Sequence, residues 1–155
     1  MAQLPDILLV PVDGSTNASK AAAYATNLAE KLGCRVRLLF AFAKTPQDMF
    51  GVPTEMPNPR ELAHFSPEAF ERLRDETAQA AFGAARKAMG ETGISVEEKI
   101  IRGEAGDAII EHAAGEQSAM IIIGRRGLSR FRELLVGSTT QRVMHHANCP
   151  VLVVR

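Results

Sequence analysis

The stretch richest in potential chemistry runs from Gly124 to Thr140, GRRGLSRFRELLVGSTT. Gly124 and Gly127 stand three apart, and nine residues separate Gly127 from the pair Gly137-Ser138. A phosphate chain is held by several converging backbone N–H groups. That requires glycine wherever a Cβ would block the approach or φ is positive. Gly137, Ser138 and Thr139 sit where a helix should begin. Free N–H groups and the positive end of the helix dipole favour anions there, and the two hydroxyls add donors. Two separate anion-binding elements can thus face one ligand, with Arg125, Arg126 and Arg130 adding positive charge. Asp13, in VDGS, is the second candidate. It has the chemistry of a catalytic base, a metal ligand or a ribose partner, and the plainer role of a turn residue before Gly14 that helps to cap a helix.

These residues need a scaffold, and the chain has the material for one. It has 155 residues, 46% hydrophobic and 23% charged, with 18 basic and 18 acidic side chains. That suits a single globular domain over 1–155 and argues against disorder. The zero net charge gives no global attraction to nucleic acid. No apolar run approaches the ~18 residues of a membrane span, and the N-terminus lacks the charged region of a signal peptide. Cys34 and Cys149 form no C-x-x-C pair, so the expectation is a soluble, cytoplasmic protein without disulfides.

Short apolar runs alternate with helical periodicity. Ile7–Val12, Val36–Ala41, Met120–Ile123 and Pro150–Val154 read as strands, and Ile94–Arg102 as a strand with one wetter face. Ala21, Ala25, Leu28 and Leu32 mark a first helix, capped by Ser15 or Thr16 and closed by Gly33. Ser66 and Pro67 open a second, whose buried stripe is expected at Phe70, Leu73, Thr77, Ala80, Ala84 and Ala88. A third follows with Ile109, Ile110, Ala113 and Ala114 inward, and a last one runs from Gly137-Ser138 to near Asn148. A β-α alternation of this kind makes a parallel sheet with helices on both faces. The exception is an insert at about 45–66, with Pro46, Pro53, Pro57 and Pro59, which fits no period and is expected to be a mobile lid near the pocket mouth. In open α/β sheets ligands bind beyond the C-terminal ends of the strands, where strand order reverses. The loops after the first, second and fourth strands are therefore the ones that matter.

The full pattern G-x2-G-x9-G-S, placed between an apolar strand and the last helix, resembles the ATP-binding branch of the universal stress protein family. The opening ILLVPVDGS, the segment IIRGEAGDAIIEHA and the closing NCPVLVV extend the resemblance over nearly the whole chain. It implies a Rossmann-like α/β three-layer sandwich of the adenine nucleotide alpha hydrolase-like type. The implied sheet has five parallel strands in the order 3-2-1-4-5. It implies ATP as ligand, with Mg or Mn bridging its phosphates and Asp13 a candidate metal ligand. Carried over, Pro11, Val12 and Asp13 lie beside adenine and ribose, and Ala41 borders the adenine pocket. Ile123 and Gly124 approach the ribose. Arg125, Gly127, Gly137, Ser138 and Thr139 hold phosphates. Arg125 and Arg126 depart from the small or polar residues often found between the first two glycines. They are expected to strengthen phosphate binding, the alternatives being a different anion or a self-occupied pocket. The resemblance also implies a homodimer. The final strand Val151–Val154 is apolar on both faces, whereas the other expected edge carries Glu97, Glu98 and Lys99.

Two function classes follow: a nucleotide-dependent regulatory module of the stress response, or a slow ATPase or nucleotide hydrolase using the same pocket. There is no G-x4-G-K-[ST] sequence and no evident base for an attacking water, so any hydrolysis is expected to be slow. A phosphoacceptor receiver domain needs an acidic cluster that the third strand's end, Ile101-Arg102-Gly103, does not supply. His145 and His146 are adjacent, about 100° apart on a helix, and read as surface residues. His64 and His112 look isolated, and Cys34 and Cys149 read as small buried hydrophobes.

Overall fold

The computed structural model describes residues 3–49, 66–128 and 136–155. Most of the insert (50–65) and part of the motif loop (129–135, with Arg130) lie outside the described residues, and with them most of the expected lid.

The elements in chain order are β1 (Ile7–Pro11), α1 (Thr16–Leu32), β2 (Arg35–Phe42), α2 (Pro46–Met49), α3 (Pro67–Met89), β3 (Val96–Arg102), α4 (Ala105–Ala114), β4 (Ala119–Gly124), α5 (Ser138–His146) and β5 (Val151–Val154). The five strands form one sheet in the order β3-β2-β1-β4-β5, every neighbouring pair parallel. The expected strands are all present, with ends that shift by one or two residues. The start of the insert differs more. Pro46 begins a single helical turn, held by Thr45 and Asp48: the Thr45 hydroxyl donates to Asp48 Oδ2 (2.8 Å), and Asp48 N donates back to Thr45 Oγ1 (3.3 Å). A proline costs nothing at this first helical position, where its missing N–H would have had no partner.

Period-two alternation divides the core cleanly. Leu8 and Val10 of β1 face α1 and α3 together with Leu38, Phe40 and Phe42 of β2. Ile7 and Leu9 face α4 and α5 with Leu39, Ile121, Ile123, Ile109 and Val143. On the first face, α1 meets α3 through small residues, Ala18, Ala21, Ala22, Ala25 and Ala29 against Ala78, Ala81 and Ala85. Phe82 sets its ring edge-on to Phe40 at 6.3 Å and Phe70 lies 5.2 Å from Phe42, filling the space that the alanines leave. The buried stripe of α3 is thus Phe70, Ala78, Ala81, Phe82, Ala85 and Met89, while Thr77, Ala80 and Ala88 are exposed. The sequence period was placed about one residue early because alanines occupy both faces of this helix. Likewise Ala114 of α4 is exposed, and Ala108 takes an inward position.

His112 is not isolated. Arg37, on β2, points at α4, where its NH1 donates to His112 Nε2 (3.1 Å) and to Glu116 Oε1, while its Nε donates to Glu97 Oε2 of β3 (2.7 Å). Glu97 is therefore less a solvated edge charge than one partner in a clamp between sheet and helix. Guanidinium has no acceptor, so His112 must take this bond as a neutral imidazole. Burial, and then the Arg37 charge, hold its pKa below the ordinary 6.5, with Lys99 acting the same way and Glu116 opposing. The hydrogen bond from Arg37 holds the Glu116 carboxyl below its ordinary range. Above about pH 6.5 both folded and unfolded chains keep His112 neutral. Below it the unfolded chain takes up the proton more readily, so stability falls as pH falls, and Glu116 adds a loss of the same sign in more acid solution. Urea midpoints measured from pH 8 down to pH 5.5 should decline, and His112→Gln, which keeps an acceptor but cannot charge, should flatten that decline.

Candidate functional site

At the C-terminal edge of the sheet, between the exits of β1 and β4, lies a cleft with about 740 Å³ of space counted out to its open mouth. Pro11, Val12 and Asp13 line it from β1, Leu39 and Ala41 from β2, and Ile123, Gly124, Arg126, Gly127 and Leu128 from β4 and its exit. Gly137, Ser138, Thr139 and Thr140 enter from α5. Ala105 and Ile109 of α4 close one side. The strand order reverses between β1 and β4, so the cleft occupies the switch point.

The motif glycines differ in how closely their surroundings approach. A Cβ on Gly124 would lie 2.7 Å from the carbonyl oxygen of Asn17 and 2.8 Å from its carbon. The end of β4 therefore packs directly on the first turn of α1. A Cβ on Gly127 would overlap Asp13 Oδ2. A Cβ on Gly137 would lie 3.4 Å from the Arg126 Cα. Gly14, before α1, holds φ at +85°, a value that L side chains rarely adopt.

Asp13 commits both oxygens to the chain. Oδ1 accepts from Ser15 N (2.9 Å), and Oδ2 accepts from Leu128 N (3.1 Å) across the cleft. Ser15 in turn caps α1, its Oγ accepting from Ala18 N (3.2 Å). The Thr140 hydroxyl donates to the Gly124 carbonyl (2.8 Å), tying α5 to β4. The N-cap of α5 is Gly137, with no side-chain hydrogen bond, so the helix presents its first N–H groups to the cleft without a capping oxygen. By contrast α1 is capped by Ser15, and α4 by Glu104, whose carboxylate accepts from Gly106 N and Asp107 N.

Of the described residues proposed from the sequence to meet the nucleotide, all but Arg125 line this cleft. Arg125 instead works through its backbone: its N–H donates to Val154 O (2.9 Å) and its carbonyl accepts from Gly137 N (2.9 Å). The cleft lining takes in Arg126 and leaves out Arg125. Ser15, Ala18, Leu39, Ala105, Ile109, Leu128 and Thr140 were not singled out. Leu39 and Ile109 carry no local signal, because their place depends on how the sheet and α4 stack. Among the described residues no group of three His, Cys, Asp or Glu side chains is placed to hold a metal. Burial raises the pKa of both Cys34 and Cys149, which suits packing rather than reactivity. No helix of the described residues is long and apolar enough to cross a membrane.

The profile of the universal stress protein family matches residues 6–155. The chain belongs to that family. It is 35% identical over 149 residues to the universal stress protein in the QAH/OAS sulfhydrylase 3′ region of Thermus aquaticus, covering 96% of this chain and 97% of that one. Among solved structures it resembles the universal stress protein UspA from Lactobacillus plantarum (TM-score 0.75, 24% identity, 99% and 100% of the two chains). Two others were solved with nucleotides: an Archaeoglobus fulgidus universal stress protein with dAMP (TM-score 0.61, 23% identity, 100% of both chains) and a universal stress protein with cAMP (TM-score 0.60, 21% identity, 99% of both chains). At these identities the structural likeness establishes the fold.

The glycine packing separates two variants. Gly124→Ala forces β4 off α1 and should destabilise by about 1–3 kcal/mol, read as a drop of roughly 3–10 °C in Tm. Gly127→Ala meets the Asp13 carboxylate rather than backbone, so its cost is the displacement of that side chain from its hydrogen bonds, and it should lower Tm by less than Gly124→Ala in the same thermal melts.

Proposed function

We propose that this protein binds ATP in the cleft and acts as a nucleotide-dependent regulatory module of the stress response. The observation that carries the reading is the uncapped N-terminus of α5, with Ser138 and Thr139, facing Arg126 and Gly127 across a cleft whose other half is apolar. An apolar slot beside an anion-binding end suits a nucleotide. In this reading Val12, Leu39, Ala41, Ile109 and Ile123 take the base. Pro11, Asp13 and Gly124 flank the ribose, and Arg126, Gly127, Gly137, Ser138 and Thr139 hold the phosphates. The adenine nucleotides of the related structures support the ligand class. The described residues supply no acidic cluster for a metal, so Mg or Mn enters with the phosphates, and the hydroxyls of Ser138 and Thr139 are the side chains that would meet it.

The regulatory reading is favoured over hydrolysis because the only carboxylate that lines the cleft among the described residues, Asp13, already accepts two backbone hydrogen bonds. A general base needs a free acceptor within reach of the attacking water. Incubation with excess Mg-ATP should release less than one equivalent of phosphate over hours, and multiple turnovers would restore the hydrolase reading. Calorimetry with Mg-ATP should show one site per chain. Arg126→Ala should weaken binding by about tenfold, the scale of one charge-assisted contact, while Arg125→Ala should change it less than Arg126→Ala. Equal losses, or no binding by the unaltered protein, would defeat the reading.

The homodimer belongs to the same proposal. β5 pairs on one side only among the described residues, and its four residues, Val151 to Val154, are all half-buried. The opposite edge, β3, carries Glu97, Glu98 and Lys99, and Glu98 pairs with Arg86 of α3. Antiparallel pairing of two β5 strands about a two-fold axis would satisfy the open backbone groups. Sedimentation should give a dimer, and Val153→Lys, which puts a charge in the seam, should give monomers.

A further inference from the structure

Among the described residues, the loop after β4 is held at two points, and only one of them belongs to its own side of the cleft. At its start, Arg125 is fixed through backbone bonds to Val154 and Gly137. Three residues further on, Leu128 N donates to Asp13 Oδ2, a residue 115 positions earlier in the chain and on the opposite lip. Between these points lie Arg126 and Gly127, both of which line the cleft. The absent Cβ of Gly127 is what lets the carboxylate come close enough to reach Leu128 N. The other carboxylate oxygen is held by Ser15 N, at the start of α1, so the carboxylate cannot swing without breaking a second bond.

We propose that Asp13 is a positioning residue for the phosphate end of the cleft. Its carboxylate fastens the end of the Gly124–Leu128 loop to the base of α1. This holds the loop in the shape that faces Arg126 and Gly127 towards the uncapped end of α5. The proposal rests on the nucleotide reading above for its consequence, but the fastening itself is a property of the ligand-free protein. It also gives Gly127 a role that a phosphate contact alone does not: the residue must be small on its Asp13 side. A carboxylate that accepts two N–H bonds is well solvated by the chain, so its charge is partly offset before any polyphosphate arrives.

Two measurements on the full-length protein test this. The first needs no ligand: amide exchange at Leu128 by NMR, in wild type and in Asp13→Ala. The exchange should quicken by about tenfold, as expected for loss of one hydrogen bond to a charged acceptor, while Leu9 and Val10 within β1 stay protected. Unchanged exchange at Leu128 would overturn the proposal. The second compares Mg-ATP with adenosine by calorimetry. Asp13 acting through the loop predicts that Asp13→Ala loses about tenfold for ATP and less than threefold for adenosine. Equal losses for both would make Asp13 a direct partner of base or ribose, and tighter ATP binding would make it a competitor for the anion site. Either result would overturn the positioning role. Asp13→Asn keeps the shape with a single acceptor oxygen and should move both readouts in the same direction by a smaller factor, which keeps the test decisive if the alanine variant fails to fold. If wild type binds neither ligand, the nucleotide reading fails and the exchange experiment alone decides the fastening.

Discussion

The close approach of the end of β4 to the first turn of α1 is the constraint on which the site depends. At Gly124 there is no room for a methyl group between strand and helix, with the Asn17 carbonyl 2.7 Å from where it would sit. Because β4 ends flush against α1, its exit loop starts at the level of Asp13 and Gly14 rather than above them. The carboxylate of Asp13 can then reach across to Leu128, and Thr140 of α5 can bond to the Gly124 carbonyl. Moving β4 outward by the width of one methyl would loosen each of these bonds together, since all of them hang from the same few backbone atoms.

Three helices contribute residues to the cleft from their first turns, and their starts differ. Ser15 caps α1 and Glu104 caps α4, each satisfying N–H groups that would otherwise lack partners. At α5 the cap position is glycine and supplies no side-chain oxygen. Glycine in place of a side-chain cap costs a helix roughly a few tenths of a kcal/mol, and α5 is short, with nine residues from Ser138 to His146. The fold offsets this through Thr140, which is buried and bonded to β4, and through Val143, fully buried in the core. The helix is thus held from its middle, which leaves its first turn open to an anion.

Much of this was legible in the sequence because it depends on local pattern. The order of elements follows from alternating strand and helix periods, and the glycines of the motif loop stand out by spacing. The placement of Asp13 and Gly124 on opposite lips followed from strand order. What was not legible depends on tertiary stacking. The stripe of α3 was misplaced because Ala80 and Ala88 look as apolar as Ala81 and Ala85, and only contact with α1 separates them. His112 looked solitary because its partner Arg37 lies on β2, far away in sequence, and is brought to it only by the packing of α4 on the sheet. The division of labour between Arg125 and Arg126 needed the backbone bonds at Val154 and Gly137, which no spacing rule announces.

The two halves of the cleft come from two different parts of the fold, and that decides what it suits. The apolar half is a continuation of the core between the sheet and α4–α5: Leu39, Ile109 and Ile123 belong to that core and also line the cleft. The core simply runs out at the strand ends, leaving apolar surface open where no side chain caps it. The polar half is built from backbone, the loop around Gly127 and the start of α5, with Arg126 beside them. A simple anion such as sulfate would use only the second half and leave the first in water. A purely apolar ligand would fill the first and leave the open N–H groups of α5 unpaired. A molecule with a flat apolar end and an anionic tail satisfies both at once, and the glycine loop between them sets how far apart those two ends must be.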